Sequence, residues 1–83
     1  MKMIQEPFLD GIQRTYYFDN NLKVSAVKTS FSYGGDKGLW EIAVLDKNSF
    51  ITKNIFSGTD DVIGFIRESE LYNYLEAVKK YGE

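Results

Sequence analysis

Neither cysteine nor histidine occurs in this chain of 83 residues. Without cysteine there is no disulfide framework and no thiolate nucleophile. Without histidine the chain lacks the commonest general base and the commonest protein ligand for zinc. Structural zinc sites, Ser-His-Asp triads and Cys-His pairs are therefore excluded. We expect a protein that is not an enzyme and that uses no cofactor and no metal.

Long apolar runs are missing as well, so we expect no membrane-spanning segment and no membrane partner. The lack of cysteine fits a reducing cytoplasm, and we expect a cytoplasmic protein. Pro7 is the only proline, and residues 1–11 are predicted to form an irregular lead-in. The net charge is only −2. This weakens a general DNA-binding function, because phosphate contacts need clustered lysine and arginine.

What the sequence does contain is a β-favouring run over residues 38–46, interrupted only by Glu41. A strand that is apolar on both sides must be covered on both sides, which predicts the centre of a sheet. Glu41 could act as a buried acid or base with a raised pKa. The favoured alternative is a cross-strand ion pair, for which Arg14, Lys23 and Lys28 are candidates.

Hairpins are predicted on both sides of this central strand. Residues 13–19 and 22–29 favour strands, and Asn20-Asn21 between them suits a type I′ turn, since asparagine tolerates positive φ. A glycine-rich loop over residues 30–38 leads into the central strand. Polar residues after it predict a second hairpin into residues 50–55, which completes an antiparallel meander.

The C-terminal part changes from strand-like to helical periodicity. Residues 62–66 suit either a short extended segment or a helical turn, and the glycine among them favours the extended form. From Glu68 onwards the apolar side chains recur at helical spacing, with Ser69 as the candidate cap. The prediction is one α+β domain over residues 1–83, an antiparallel sheet of about four strands with one C-terminal helix packed on one face. The apolar stripe of the helix is Leu71, Tyr74, Leu75, Val78 and Tyr81.

Aromatic and basic side chains alternate in the first half of the chain. Tyr17 and Tyr33, with Lys23 and Lys28, could form a platform on which nucleic-acid bases stack. Aromatic residues in small β-rich domains more often belong to the core. However, Tyr16 and Tyr17 must point to opposite faces of one strand. A single helix covers one face only, so part of the apolar surface is predicted to contact a partner protein or a second copy of the chain.

Adjacent carboxylates at Asp60 and Asp61 could bind a divalent cation or a basic partner. The favoured interpretation is structural, because a lone Asp-Asp pair in a turn is unspecific. The glycines over residues 34–38 resemble a phosphate loop only superficially. A true phosphate loop leads from a strand into a helix, whereas this loop leads into a predicted strand.

Two stretches carry recognisable motifs, Tyr-Gly-Gly followed by Gly-Leu-Trp-Glu within residues 31–46 and Asp-Asp-Val-Ile-Gly within residues 60–66. Both resemble stretches of small uncharacterised proteins of phages and prophages of Gram-positive bacteria. The resemblance covers most of residues 15–80 and implies a setting, the cytoplasm of an infected host cell, rather than an activity. It supplies no catalytic residues.

Three functions follow from these observations as hypotheses. The favoured one is a non-enzymatic phage accessory protein that binds a host or phage protein. Its candidate contact residues are Tyr17, Tyr33, Lys23, Lys28, Asp60 and Asp61. The alternative is a nucleic-acid-binding module that uses the first hairpin. An enzyme with a carboxylate-bound metal ranks well below both, because the metal-ligand spacing is missing.

Overall fold

The computed structural model describes residues 1–83 and has the predicted α+β class. In an antiparallel sheet, the first five strands pair in chain order, and a sixth strand pairs with the fourth beside the fifth. A helix follows at the C-terminus. The sheet therefore has six strands instead of about four. The strands are β1 (Lys2–Phe8), β2 (Gly11–Tyr17), β3 (Leu22–Lys28), β4 (Trp40–Asp46), β5 (Ser49–Phe50) and β6 (Ile63–Ile66), and the helices are α1 (Thr52–Ile55) and α2 (Glu68–Lys80).

The first strand corrects the prediction of an irregular segment at residues 1–11. β1 pairs with β2 along its whole length, from Lys2 opposite Tyr17 to Phe8 opposite Gly11. The turn between them places Leu9 at a φ of 53°, a left-handed conformation that favours glycine or asparagine. The Asp10-Gly11 pair beside it is a hairpin signal that the prediction of an irregular segment overlooked. Pro7 fits an edge strand, because only an edge tolerates a residue without an N–H group.

The hairpin predicted at Asn20-Asn21 is confirmed, but its turn is of another type. Only Asn21 has a positive φ, of 68°, whereas a type I′ turn needs two such residues. The N–H of Asn21 donates to the carbonyl of Phe18 at 3.2 Å, and the N–H of Phe18 donates to the carbonyl of Leu22 at 3.0 Å. These bonds define a three-residue hairpin loop, in which a type I turn is followed by one residue in the left-handed conformation.

β4 is the centre of the sheet, as its apolar run predicted. Its first partner is β3, and its other side pairs with β6 at one end and with β5 at the other. The strand predicted over residues 50–55 is wrong beyond Phe50, because the chain turns into α1. At Val44, between the parts of β4 that pair with β5 and β6, the hydroxyl of Thr52 replaces a backbone acceptor. Its Oγ1 accepts the N–H of Val44 at 2.9 Å.

The core lies between one face of the sheet and α2. The buried residues of the helix are Leu71, Leu75 and Val78, which are three of the five in the predicted stripe. Each such side chain contributes about 1.5–3 kcal/mol when it is fully buried. They pack against Val24, Trp40, Ile42 and Val44, among others. Residues 63–66 are extended, as the glycine favoured, and they bring Ile66 opposite Trp40.

The ends of α2 differ from the prediction in two details. The helix begins at Glu68, so Ser69 lies inside it, and the preceding Arg67 donates its N–H to the Glu70 carboxylate at 3.1 Å. Tyr81 lies beyond the last helical residue and is exposed. Glu76 and Lys80, four residues apart on α2, form an ion pair at 3.3 Å. Neither helix is long and apolar enough to cross a membrane.

Candidate functional site

The face of the sheet opposite α2 is uncovered, and we call it the open face. Alternation along the strands decides which side chains it carries, because neighbouring residues point to opposite faces. Tyr16 is buried under the helix, whereas Tyr17 is 43 % exposed on the open face. The open face comprises Lys2, Ile4, Glu6, Phe8, Gln13, Thr15, Tyr17, Lys23, Ser25, Val27, Glu41, Ala43 and Leu45.

A shallow hollow of about 390 Å³ lies on this face, above the middle strands. Small side chains form its floor, including Ser25 and Ala43, and Tyr17 and Phe50 stand at its sides. Within it, the Gln13 side-chain amide donates to the Ser25 hydroxyl at 2.8 Å. The lining of the hollow combines hydroxyl and amide groups with apolar side chains.

The six residues predicted to make contacts do not form one site. Tyr17 and Lys23 lie opposite each other in the β2–β3 ladder, on the open face. Lys28 points to the helix side, because it is five residues from Lys23 on the same strand. Tyr33 lies in the loop before β4, and Asp60 and Asp61 lie in the turn before β6.

Lys28 is engaged in a cluster around Trp40. Its Nζ lies 4.5 Å from the centroid of the Trp40 ring, and the Arg14 guanidinium lies at the same distance. Arg14 also binds the Glu68 carboxylate at 2.8 Å, and Glu68 accepts the indole N–H of Trp40 at 3.2 Å. The hydrogen bond from Arg14 holds the pKa of Glu68 below its ordinary value. This cluster fastens the start of α2 to the sheet.

Asp61 has structural contacts, and Asp60 and Asp61 belong to no cluster of three acidic side chains that could hold a metal ion. The backbone carbonyl of Asp61 accepts the Thr52 hydroxyl at 2.6 Å. Its carboxylate lies 4.0 Å from the Lys53 ammonium, and both side chains are exposed. Such a surface ion pair contributes little to stability. The arrangement fits the structural interpretation of the acidic pair.

Glu41 does not pair with Arg14, Lys23 or Lys28, which corrects the predicted ion pair. Its Oε1 accepts the backbone N–H of Tyr33 at 3.0 Å. The Glu41 side chain therefore fixes the glycine-rich loop against the open face. The bond gives the Glu41 carboxylate a backbone donor at the start of the central strand.

Two residues with exposed aromatic side chains are joined through their backbones where this loop meets β6. Tyr33 is 62 % exposed and Phe65 is 57 % exposed. The N–H of Phe65 donates to the carbonyl of Tyr33 at 3.1 Å. Glycines allow this approach, since a Cβ on Gly34 would lie 3.0 Å from the Cα of Phe65, and one on Gly64 would lie 2.3 Å from the Cβ of Tyr33. We call these two residues the aromatic pair.

The backbone of Phe65 is strained. Its φ of 58° lies in the left-handed region, which costs a bulky residue about 1–2 kcal/mol. The other residues with positive φ that are not glycine lie in the hairpin turns, at Leu9, Asn21 and Lys47. Phe65 alone has this conformation inside a strand. Such strain persists where the surrounding structure enforces it and is concentrated at functional positions.

The loop that carries Tyr33 is held by many hydrogen bonds. The hydroxyl of Thr29, a buried residue, accepts the N–H groups of Phe31 and Ser32 at 3.0 and 3.1 Å. The Gly34 carbonyl accepts two more N–H groups, from Lys37 and Leu39. Phe31 on the same loop is 79 % exposed. The loop therefore presents its aromatic side chains on a fixed backbone, which lowers the entropic cost of a contact.

Phe65 was not among the residues predicted to make contacts. Its left-handed backbone could not have been read from the sequence. The alternation of residues 63–66 was readable, since Phe65 and Ile66 must point to opposite sides of a strand, and only Ile66 is buried. Comparison with known proteins adds nothing to this geometry, since no protein-family model, curated protein or solved structure matches the chain.

Proposed function

We propose that this chain is a non-enzymatic accessory protein of a phage or prophage that binds a host or phage protein in the host cytoplasm. We further propose that the aromatic pair, Tyr33 and Phe65, anchors this contact. The observation that carries the proposal is Phe65, because this residue combines a strained backbone with an exposed aromatic ring. Aromatic residues are enriched among the energetic centres of protein interfaces.

Three features support a protein contact at this position. The aromatic pair is exposed, and the fold has no apparent use for it in the core. The Lys37 ammonium lies 5.9 Å from the Phe65 ring, so that the apolar surface has a charged neighbour, as in the polar rim of an interface. The two stretches that resemble phage proteins also meet here, since Tyr33 belongs to the first and Phe65 lies in the second.

Nucleic-acid binding by the first hairpin has less support. Its basic residues are divided between the two faces, with Lys23 on the open face and Lys28 over Trp40 on the other. On the open face, Lys2 and Lys23 are balanced by Glu6 and Glu41. A phosphate backbone needs a cluster of unopposed cations.

The test compares two variants of a tagged protein in nuclease-treated lysate of the bacterial host. Phe65→Asn removes the ring, and asparagine tolerates the left-handed backbone. Tyr72→Asn is the matched control, because Tyr72 on α2 has the same exposed fraction of 57 %. We expect the unmodified protein and the control to retain one stoichiometric protein and Phe65→Asn to lose it. Loss of an aromatic anchor lowers affinity by about 30-fold or more.

The captured protein is then purified and titrated against each variant by calorimetry. Equal affinity of Phe65→Asn and the unmodified protein would remove the aromatic pair from the proposal. Recovery that disappears with nuclease treatment would favour the nucleic-acid alternative, in which case Tyr17→Ala is the variant to compare. Circular dichroism of each variant verifies that it is folded.

A further inference from the structure

We propose that the open face binds a second copy of this chain, with a two-fold axis that runs across the strands. The surface concerned adjoins the aromatic pair, since Glu41 of the open face accepts the N–H of Tyr33, but the inference does not depend on the function proposed above. It is based on the charges of the open face, its uncharged middle row and its area.

The charges of the open face are separated along the strands. Lys2 and Lys23 lie at the end that carries Tyr17. Glu6 and Glu41 lie at the other end, four residues away along their strands. At about 3.3 Å per residue, this separates the basic row from the acidic row by about 13 Å. The face is therefore positive at one end and negative at the other.

This arrangement distinguishes between the two-fold axes that could bring two open faces together. An axis parallel to the strands would place each basic row on the basic row of the second copy, which is repulsive. An axis across the strands reverses their direction and keeps their order. It places Lys2 of one copy opposite Glu6 of the other, and the reverse by symmetry. The basic row of one copy, which includes Lys23, then faces the acidic row of the other copy, which includes Glu41.

The row on this axis is made of side chains that permit close approach. Ile4, Thr15, Ser25 and Ala43 lie opposite one another across four strands. None of them is charged, and Ser25 is already held by Gln13. Face-to-face sheets pack about 10 Å apart, and a middle row without charges brings no charged group to the axis at that distance.

The size of the face indicates a weak and reversible dimer. Four strands of seven residues measure about 19 Å by 23 Å, or about 440 Å² in projection. Two copies together would bury about 900 Å², slightly below the roughly 1,000 Å² at which stable interfaces begin. We therefore expect association in the upper micromolar range, from about 100 µM.

Sedimentation equilibrium of the full chain tests the proposal, over concentrations from about 10 µM to about 1 mM. The unmodified protein is expected to form a dimer. Thr15→Lys places two like charges together at the two-fold axis and should abolish it, whereas Tyr72→Lys on α2 should not change it. Tryptophan fluorescence of Trp40 verifies that each variant is folded, since this residue is fully buried.

Charge reversal tests the direction of the axis. Lys2→Glu and Glu6→Lys should each weaken the dimer by about tenfold, because each places like charges opposite one another twice. The double variant should restore the association. A protein that stays monomeric at all concentrations, a dimer that persists in Thr15→Lys, or a double variant no better than the single ones would overturn the proposal.

Discussion

Replacement of Thr52 by valine should destabilise the fold by more than its small chemical change suggests. Thr52 is fully buried, and its hydroxyl accepts the N–H of Val44 at 2.9 Å and donates to the carbonyl of Asp61 at 2.6 Å. Valine has nearly the same shape but can make neither bond. The Val44 N–H then stays buried without an acceptor, because Val44 is itself fully buried.

A buried donor without a partner costs about 1–3 kcal/mol. The Asp61 carbonyl lies nearer to solvent and can bind water instead, so its lost bond adds about 1 kcal/mol at most. The free energy of unfolding should therefore fall by about 1–4 kcal/mol. A domain of this size has a total of roughly 4–12 kcal/mol, and its melting temperature should fall by about 4–30 °C.

Urea unfolding followed by the fluorescence of Trp40, the only tryptophan, measures this difference. Thr52→Ser is the control, since it keeps the hydroxyl and loses one methyl group, at about 1 kcal/mol. Hydrogen exchange adds a local measurement, because the Val44 amide should exchange faster in the valine variant than in the serine variant. The reasoning is refuted if valine is tolerated as well as serine.

Two further substitutions test the contacts around the site. Gly64→Ala would place a Cβ 2.3 Å from the Cβ of Tyr33, so the loop must shift. We expect the free energy of unfolding, measured with urea, to fall by about 1–3 kcal/mol. An unchanged free energy of unfolding would show that the loop is loosely held. Glu68→Gln should cost about 0.5–1 kcal/mol at neutral pH, because Glu68 is half exposed and its pair with Arg14 is screened. The folded-state pKa of Glu68 is lowered, so the stabilisation is present above its unfolded value of 4.5 and is lost as the pH falls. Stability curves of the two proteins should therefore converge in acid, and a constant difference at all pH values would contradict the assignment.

Features that depend on periodicity were predictable from the sequence. The apolar run of residues 38–46 identified the central strand, and the helical spacing of Leu71, Leu75 and Val78 identified the face of α2 that is buried. Both signals are local, because alternation and helical spacing are properties of a short segment. The opposite orientation of Tyr16 and Tyr17 followed from the same rule.

Features that depend on tertiary contacts were not predictable. The left-handed turn at Leu9 is not favoured by its residue type, although the adjacent Asp10-Gly11 pair signals that a turn lies there. Thr52 lies among β-branched residues typical of a strand. In the structure, however, its hydroxyl and not its backbone makes the hydrogen bond to the central strand. Half of the aromatic pair was missed for the same reason, because the conformation of Phe65 depends on Gly34, which is distant in the sequence.

The outer side of β4 has a consequence for ordered aggregation. A long strand with free N–H and carbonyl groups is a template on which another chain can add and extend into a fibril. Here β6 pairs with the first part of that side and β5 with the last part. Between them, Thr52 and Ile51 form hydrogen bonds to the backbone of Val44. No continuous row of groups is left for an added strand. The remaining long edge is β1, where Pro7 and two charged residues interrupt the template and disfavour growth from that side.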